Sequence, residues 1–302
     1  MPPFPRWIAA VFVCIGLQAG PFGLVQVNAH SSVTARLAGG AFLIVPVTLN
    51  GAGPFDFLID TGTNTTLIDP QVATELGLNA VDRLVVQTAA GETVAIRYRV
   101  RRLSVGSEDA EGTEVLAVPL AALRALDKNI RGILGMNFLQ GFSFRLDYAN
   151  RRIELYSQGE LPVASFEKNA PVRLEDGALI VVVRTPVAAA GEWRLVLDSG
   201  IATAAIPRDR IKQVAENAGF GESGFLGGAV ASVQTNSGHT TGSAITVRNA
   251  QIGGLRLGRM PIIVLNDSEG RERGGTDGLL PAAIFKSVGF DRRRSVLFFA
   301  TK

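Results

Sequence analysis

The sequence contains very little cysteine and histidine. Its 302 residues include one cysteine, Cys14, and two histidines, His30 and His239. Cys14 lies in an apolar N-terminal run that we expect to be removed. The mature chain then has no thiol for disulfides, thiolate catalysis or cysteine metal sites. Two histidines are too few for a multi-histidine metal site, so we predict no metal and no cofactor.

Charge is also sparse and unclustered. Charged residues make up 19% of the chain, the net charge is +3, and short arginine runs occur at 99–102 and 292–294. No aromatic residues alternate with these arginines, as they do in platforms for single-stranded nucleic acid. We therefore interpret the runs as solvated strand ends and turns, and we expect no nucleic-acid partner.

The first 29 residues have the layout of a secretory signal peptide. Arg6 precedes an apolar run at residues 7–17, and small residues follow. The run is shorter than the roughly 20 residues that a membrane-spanning helix needs, although an uncleaved anchor is the alternative. We predict cleavage after Ala29, with Ala19 as the second candidate. The protein would then be periplasmic or secreted, without a stable membrane anchor.

One short motif occurs twice in the chain. Asp60-Thr61-Gly62 lies in the context FLIDTGTNTTLI, and Asp198-Ser199-Gly200 lies in the context LVLDSGIATAAI. In each case an apolar run precedes the motif and another apolar position follows it, which predicts a strand, a tight turn and a second strand. An aspartate at the end of a buried strand is costly unless it is hydrogen-bonded or paired. Two aspartates in matching settings therefore predict one shared site.

The repeat extends over both halves of the chain. Residues 86–93 align with 233–240, residues 132–135 align with 278–281, and Asp147 aligns with Asp291. The offset runs from 138 residues (60 to 198) to 147 residues (87 to 234), far longer than the roughly 20–50 residues of solenoid repeats. This nearly constant offset indicates gene duplication. We predict two lobes, 30–165 and 166–302, in a monomer that supplies both aspartates.

Most of the mature chain has the pattern of β-strands. Residues 42–49 predict a strand and residues 51–54 a turn, and residues 179–183 predict the equivalent strand of the second half. The start and stop signals predict only short helices, which are Pro70 to Gly77 with Asp69 as N-cap, Pro119–Leu126 and Pro207–Gly219. Few helices among many strands favour an all-β fold over the βαβ alternation of nucleotide-binding folds.

These motifs together resemble the aspartic proteases, and in particular the retropepsin-like branch found in bacteria. The matching segments are Asp60-Thr61-Gly62-Thr63, Gly132 to Leu139, Asp198-Ser199-Gly200 and Gly278-Leu279-Leu280. Retroviral members pair two identical chains, whereas pepsin-like members carry both lobes in one chain. The resemblance implies two homologous acid-protease lobes, each a retropepsin-like β-barrel, with the active site between them.

The resemblance also implies a glycine-containing hairpin that folds over the substrate as a flap. The candidate tips are Ala89-Ala90-Gly91 in the first half and Asn236-Ser237-Gly238 in the second. Tyr98 lies too far along its strand to serve as the flap tyrosine of pepsin-like enzymes. Two ordinary hairpins are the alternative interpretation.

Catalysis is assigned by the resemblance to Asp60 and Asp198. Two carboxyl groups about 3 Å apart cannot both ionise, so they hold one proton between them. The ionised member acts as general base on a water that attacks the scissile amide, and the protonated member donates to the carbonyl oxygen. The residues that the resemblance implies as supports of this pair are Thr61, Gly62, Thr63, Ser199 and Gly200.

One departure distinguishes the two halves. The residue after the motif glycine is Thr63 in the first half and Ile201 in the second. Thr63 can donate a hydrogen bond to Asp60, but Ile201 cannot donate one to Asp198. Because a hydrogen bond to the charged form favours that form, our hypothesis is that Asp198 more often carries the shared proton.

The sequence therefore predicts an exported aspartic endopeptidase that acts on peptide or protein substrates. The alternative is a catalytically impaired relative that uses the same cleft to bind peptides or envelope components, and Ile201 is the evidence for it. Retention of both aspartates favours the enzyme, because a binding module has no need for two adjacent buried carboxyl groups.

Overall fold

The computed structural model describes residues 30–88, 91–157, 160–188, 191–211, 230–235, 238–265 and 275–301. The predicted signal segment, residues 1–29, lies outside the described residues. In the described ranges, no helix has the length and apolarity needed to cross a membrane.

Strands dominate both halves, and the helices are short. The strands of the first half are β1 (His30–Thr34), β2 (Arg36–Ala38), β3 (Phe42–Leu49), β4 (Ala52–Ile59), β5 (Thr66–Ile68), β6 (Ala80–Thr88), β7 (Gly91–Val105), β8 (Glu108–Ala117), β9 (Ile130–Leu134), β10 (Ser143–Asp147) and β11 (Arg152–Tyr156). The strands of the second half are β12 (Lys168–Glu175), β13 (Ala178–Arg184), β14 (Glu192–Asp198), β15 (Ala204–Pro207), β16 (Val230–Thr235), β17 (Gly238–Val247), β18 (Gln251–Ile252), β19 (Leu255–Arg256), β20 (Met260–Leu265), β21 (Gly278–Pro281), β22 (Ser287–Asp291) and β23 (Val296–Ala300). The helices within the described ranges are α1 (Pro70–Glu75), α2 (Ala121–Leu126), α3 (Met136–Leu139) and the 3-10 turns η1 (Arg208–Arg210) and η2 (Ala282–Ile284). The predicted all-β fold class is confirmed.

The described strands form two sheets. An 8-stranded sheet in the first half has the order β2-β3-β4-β9-β5-β8-β7-β6. A 15-stranded sheet has the path β1-β11-β10-β22-β23-β12-β13-β14-β21-β15-β20-β17-β16, with β18 and β19 attached to β13. The second sheet contains strands of both halves, so the halves are joined by backbone hydrogen bonds.

The same strand arrangement surrounds each aspartate motif. In the first half, β4 pairs in parallel with β9, and β9 pairs antiparallel with β5. In the second half, β14 pairs in parallel with β21, and β21 pairs antiparallel with β15. The strand after each motif also has a parallel neighbour, β8 for β5 and β20 for β15. The two halves therefore build the turn that carries the aspartate in the same way.

Alternation along the motif strands sends large side chains into one continuous core. Phe57 and Ile59 of β4, and Leu195 and Leu197 of β14, are fully buried in this core. Close packing explains the glycine at 132, because a Cβ there would lie 2.5 Å from Phe57 Cε2. The core thus fixes the positions at which the two motif strands end.

The halves meet along β10 and β22, which pair antiparallel. Each of these strands ends in a fully buried aspartate, Asp147 or Asp291. Asp147 accepts from the Asn150 backbone N–H at 2.9 Å, and Asp291 accepts from the Arg293 and Arg294 N–H groups at 3.0 Å. These carboxylates cap the turns that follow, which accounts for their burial without a catalytic role.

The turn predicted at residues 51–54 is placed differently in the structure. The turn residues are Asn50 (φ 53°) and Gly51 (φ 84°), and Leu49 pairs with Ala52. Two consecutive positive φ angles define the type I′ hairpin turn that Asn-Gly favours. The Asn50 side chain also accepts from the backbone N–H of Arg101 at 2.8 Å, so a tertiary contact holds this corner. Residues 52–54 belong to β4.

The predicted helices differ from the structure mainly at their ends. Asp69 caps α1 as predicted, accepting from the Gln71 N–H at 3.0 Å. The predicted helix Pro119–Leu126 begins at Ala121 instead, because Leu120 has a non-helical backbone without a side-chain cap. In the predicted helix Pro207–Gly219, Pro207 ends β15 and residues 208–210 form a 3-10 turn. Its residues 212–219 lie outside the described part.

Candidate active site

The two motif aspartates lie on turns that directly follow buried strands. Asp60 follows β4, and its backbone N–H donates to the Leu134 carbonyl of β9 at 3.0 Å. Asp198 is the last residue of β14 and pairs with Pro281 of β21. Both residues are only 4% exposed. The parallel pairs β4–β9 and β14–β21 therefore place each aspartate at the corresponding strand end of its half.

Backbone and hydroxyl donors hold each carboxylate. Gly62 N–H donates to Asp60 Oδ1 at 2.8 Å, and Gly200 N–H donates to Asp198 Oδ1 at 2.7 Å. The Thr63 hydroxyl donates to Asp60 Oδ2 at 2.7 Å. The corresponding residue of the second half, Ile201, has no hydroxyl, so the two carboxylates have different surroundings.

Thr61 and Ser199 connect the two turns across the halves. The Thr61 hydroxyl donates to the Leu197 carbonyl at 2.7 Å, and the Ser199 hydroxyl donates to the Ile59 carbonyl at 2.8 Å. Each hydroxyl oxygen also accepts from the backbone N–H of the other residue, at 3.0 Å and 3.1 Å. Both residues are buried, so the four bonds form a satisfied network shielded from water.

The glycines of the two motifs show how closely the carboxylates approach the opposite turn. A Cβ on Gly62 would lie 2.8 Å from Asp198 Oδ1, and a Cβ on Gly200 would lie 2.8 Å from Asp60 Oδ1. No side chain fits at either position without moving a carboxylate. Each carboxylate thus packs against the glycine of the other half, and the two carboxyl groups share one buried site.

Like charges in one buried site oppose joint ionisation. Removing a carboxylate from water disfavours its charged form, and a second carboxylate nearby disfavours it further. Two carboxyl groups placed in this way are an arrangement in which one group can donate a proton while the other accepts one, as general acid–base chemistry on a neutral substrate requires.

A buried tyrosine that sequence reasoning missed lies within electrostatic range of the pair. Tyr148 follows β10, is 7% exposed, and its hydroxyl has no hydrogen-bond partner among the described residues. Burial raises the pKa of the Tyr148 phenol well above its usual range, and the charges of Asp198 and Asp60 raise it further. The phenol therefore stays neutral at physiological pH. The sequence feature that could have pointed to Tyr148 is its position directly after Asp147, one of the residues that align between the two halves.

The first half carries a second support that the analysis of single motifs also missed. Asn137 Oδ1 accepts from the backbone N–H and the hydroxyl of Thr66 at 2.9 and 2.7 Å. Its amide group donates to the Glu114 carbonyl at 2.8 Å. These bonds fix the strand after the Asp60 turn to α3 and β8. The aligned residue of the second half is Ala283, which cannot make them.

Both predicted flap segments are β-hairpins in the structure. β6 and β7 pair up to Thr88 and Gly91, and β16 and β17 pair up to Thr235 and Gly238. The candidate tip residues outside the described part are Ala89, Ala90, Asn236 and Ser237. The second hairpin reaches the first half, where β16 contacts α2. Tyr98 pairs with Ala80 at the far end of its hairpin, away from the tip.

Among the residues that the structure describes, no three acidic, histidine or cysteine side chains lie close enough together to hold a metal ion.

Comparisons with known proteins agree with this architecture. Residues 45–138, which include Asp60 but not Asp198, match the family model described as aspartyl protease. The aspartic proteinase from Irpex lacteus superposes with a TM-score of 0.54, over 91% of this chain and 98% of its own, at 13% identity. The chain has the aspartic protease fold.

Two further comparisons concern a solved structure and the curated protein sequences. The retropepsin-like aspartic protease from Rickettsia conorii matches 42% of this chain and 89% of its own, with 19% identity and a TM-score of 0.32. No curated protein sequence matches the chain. The resemblance to aspartic proteases predicted from the sequence is confirmed by the family model for the first half and by the fold for the whole chain.

The crossed hydroxyls should make Thr61 and Ser199 energetically coupled. We expect Thr61→Val and Ser199→Ala each to lower the free energy of unfolding by about 1–3 kcal/mol, because each leaves buried partners unsatisfied. The double variant should cost clearly less than the two single costs added together, since the first substitution already breaks part of the network. Chemical denaturation of the four proteins measures this coupling.

A matched control is Thr74→Val, whose hydroxyl donates to the Pro70 carbonyl at an exposed position. Its cost should stay within about 0.5 kcal/mol. Additive costs for Thr61→Val and Ser199→Ala, or costs no larger than that of the control, would contradict the coupling.

Proposed function

We propose that this protein is an exported aspartic endopeptidase, which hydrolyses peptide bonds with a water activated between Asp60 and Asp198. The observation that carries the proposal is the pair of buried carboxylates, each packed against the glycine of the opposite turn. The crossed hydroxyls of Thr61 and Ser199 hold the two turns together. Such a pair has the preorganised geometry that general acid–base hydrolysis requires.

The proposed reaction uses water and the two carboxyl groups. The ionised carboxylate takes a proton from the water while the water oxygen bonds to the scissile carbonyl carbon. The protonated carboxyl donates its proton to the carbonyl oxygen, which gives a neutral tetrahedral diol. A diol proton then returns to one carboxylate as the carbon–nitrogen bond breaks, and the other carboxyl protonates the leaving nitrogen. One proton is again shared by the pair at the end.

The position of Thr63 supports the assignment of the negative charge of the pair to Asp60 at the start of the reaction. Its hydroxyl donates to Asp60 Oδ2, whereas Ile201 supplies no hydroxyl to Asp198. A donor to the charged form stabilises that form, so Asp60 is the base and Asp198 carries the shared proton in the free enzyme. The role of Thr63 is to position the charge, since its hydroxyl contacts the Asp60 carboxylate.

The substrate that fits this arrangement is an extended peptide between the two halves. The hairpins β6–β7 and β16–β17 come from opposite halves, and β16 contacts α2 of the first half. Both carboxylates come from one chain, so a monomer suffices for activity. The flap role of the two hairpins is part of this proposal.

Loss of either carboxylate should abolish proteolysis. We expect Asp60→Asn and Asp198→Asn each to lower kcat/KM by roughly 10² to 10⁴-fold, because each removes one member of the acid–base pair. The measurement is cleavage of a protein substrate by purified protein from acidic to neutral pH, with unchanged circular dichroism as the check on folding. Asp209→Asn, at a side chain that is 65% exposed, is the control that should keep full activity.

Two outcomes would separate the alternatives. Activity retained by one of the two Asn variants would contradict a shared pair. A folded wild-type protein that binds a statine-type inhibitor but cleaves nothing at any pH would favour the peptide-binding alternative.

The asymmetry between Thr63 and Ile201 should appear in the pH–rate profile. Thr63→Val removes a donor to the Asp60 carboxylate, the base of this scheme, so the acidic limb of kcat/KM should move to higher pH. Ile201→Thr adds a donor beside Asp198, the member that carries the shared proton, so the basic limb should move to lower pH. Thr63→Ser keeps the hydroxyl and should leave the acidic limb in place. An unchanged profile for Ile201→Thr would count against the assigned charge.

Export is proposed from the N-terminal signal alone. Cleavage after Ala29 would give a mature protein that begins at His30. N-terminal sequencing of protein from the extracytoplasmic fraction should read His30 first, and Ala29→Arg should block this processing because the cleavage site needs a small residue. Ala19→Arg should leave it unchanged. A first residue of Gly20 would identify Ala19 as the site, and an intact, membrane-bound chain would indicate an anchor.

A further inference from the structure

A cavity lies in the second half, and none of its lining residues belongs to the two aspartate turns. It has a volume of about 390 Å³. This lies within the about 300–1,000 Å³ of pockets that bind small organic molecules. It is formed where the β19–β20 loop meets the end of η2 and the last residues after β23.

The floor of the cavity is apolar. It is formed by Leu257, Met260, Ile284 and Phe285, of which Met260 is 3% exposed and Phe285 1% exposed. These two side chains belong to the main core, so the floor is held rigidly from below. An apolar group that enters the cavity would be removed from water against this floor, which is favourable.

Two arginines line the same cavity. Arg256 and Arg259 are both exposed, and neither has an acidic partner among the described residues. Glu167 accepts a hydrogen bond from the lining residue Thr301 at 2.5 Å but does not itself line the cavity. The charged side chains of the lining are the two guanidinium groups, so the lining is positive. The guanidinium fork matches the planar geometry of a carboxylate.

We propose that this cavity binds an organic carboxylate that carries a short apolar group. The arginines would pair with the carboxylate, and the apolar group would cover Leu257 and Met260 of the floor. Two sources have this chemistry, the C-terminal residue of a peptide and a free short-chain acid.

The test compares ligands that differ in one feature each. N-acetyl-leucine and octanoate represent the two sources, N-acetyl-leucinamide lacks the charge, and acetate lacks the apolar group. Binding to the purified full chain is measured by NMR titration and by the ligand-induced rise in Tm at constant ionic strength. We expect binding of at least one of the first two probes and much weaker binding of the other two.

Variants of the cavity test the assigned contacts. Arg256→Gln and Arg259→Gln should each weaken binding roughly tenfold, because each removes a charge-assisted hydrogen bond. Arg248→Gln, at an exposed arginine outside the cavity, is the matched control that should leave binding unchanged. Gly258→Leu should keep the stability of the protein, because a Cβ at Gly258 meets no atom within 4 Å, and it should weaken binding because Gly258 lines the cavity.

The outcomes decide the proposal without reference to proteolysis. Binding that survives in Asp60→Asn and is lost in the arginine variants supports the cavity as a separate site. Equal affinity for N-acetyl-leucine and its amide, equal affinity for acetate, or unchanged binding in the double arginine variant would overturn it. Preference for N-acetyl-leucine over octanoate would indicate a peptide terminus as the source, and the reverse preference a free acid.

Discussion

The crossed hydrogen bonds between Thr61 and Ser199 are the interaction on which the rest of the site depends. Two carboxyl groups in one buried place repel each other when both are charged, and burial makes any charge there costly. A network that links the two turns through hydroxyls and backbone groups holds the carboxyls together against this repulsion. Because every polar atom in the network has a partner, rigidity is gained without unsatisfied buried groups.

The two halves have the same strand topology around the aspartate turn, but they differ in the side-chain hydrogen bonds that hold this turn. In the first half, Thr63 and Asn137 supply side-chain hydrogen bonds to the carboxylate and to the strand that follows it. The second half has Ile201 and Ala283 at these places. A duplicated scaffold can tolerate this difference, because the backbone N–H of Gly200 still holds Asp198 and the opposite turn supplies the remaining contacts. This asymmetry is the basis on which we propose different places for the charge and for the proton.

The shared sheet explains how the two turns keep their relative position. β10 and β22 pair across the halves, and Tyr148 and Ala149 donate backbone N–H groups to the Lys286 carbonyl. The buried carboxylates of Asp147 and Asp291 cap the turns at the ends of these strands. A site divided between two halves needs such a rigid connection, since small shifts of one turn would separate the carboxyls.

Local sequence patterns predicted many elements of this protein and the residues that we propose for its site. An apolar run predicted β3 at residues 42–49, Asp69 and Pro70 predicted the start of α1, and the repeated motif pointed to Asp60 and Asp198. These features depend on neighbours along the chain, so the chain order alone reveals them. Alignment of the halves also revealed that Thr63 is opposed by Ile201.

Contacts between distant residues were decided only by the tertiary structure. The Asn50 side chain of the β3–β4 turn bonds to β7, and no local pattern contains that partner. Tyr148, directly after β10, lies within electrostatic range of the two carboxyl groups. Asn137 forms hydrogen bonds with Thr66 and Glu114, which are distant in the sequence. The cavity that Arg256 and Arg259 line is formed by residues from three separate segments of the chain. Such groups meet only when the core has packed, so their chemistry is a property of the fold.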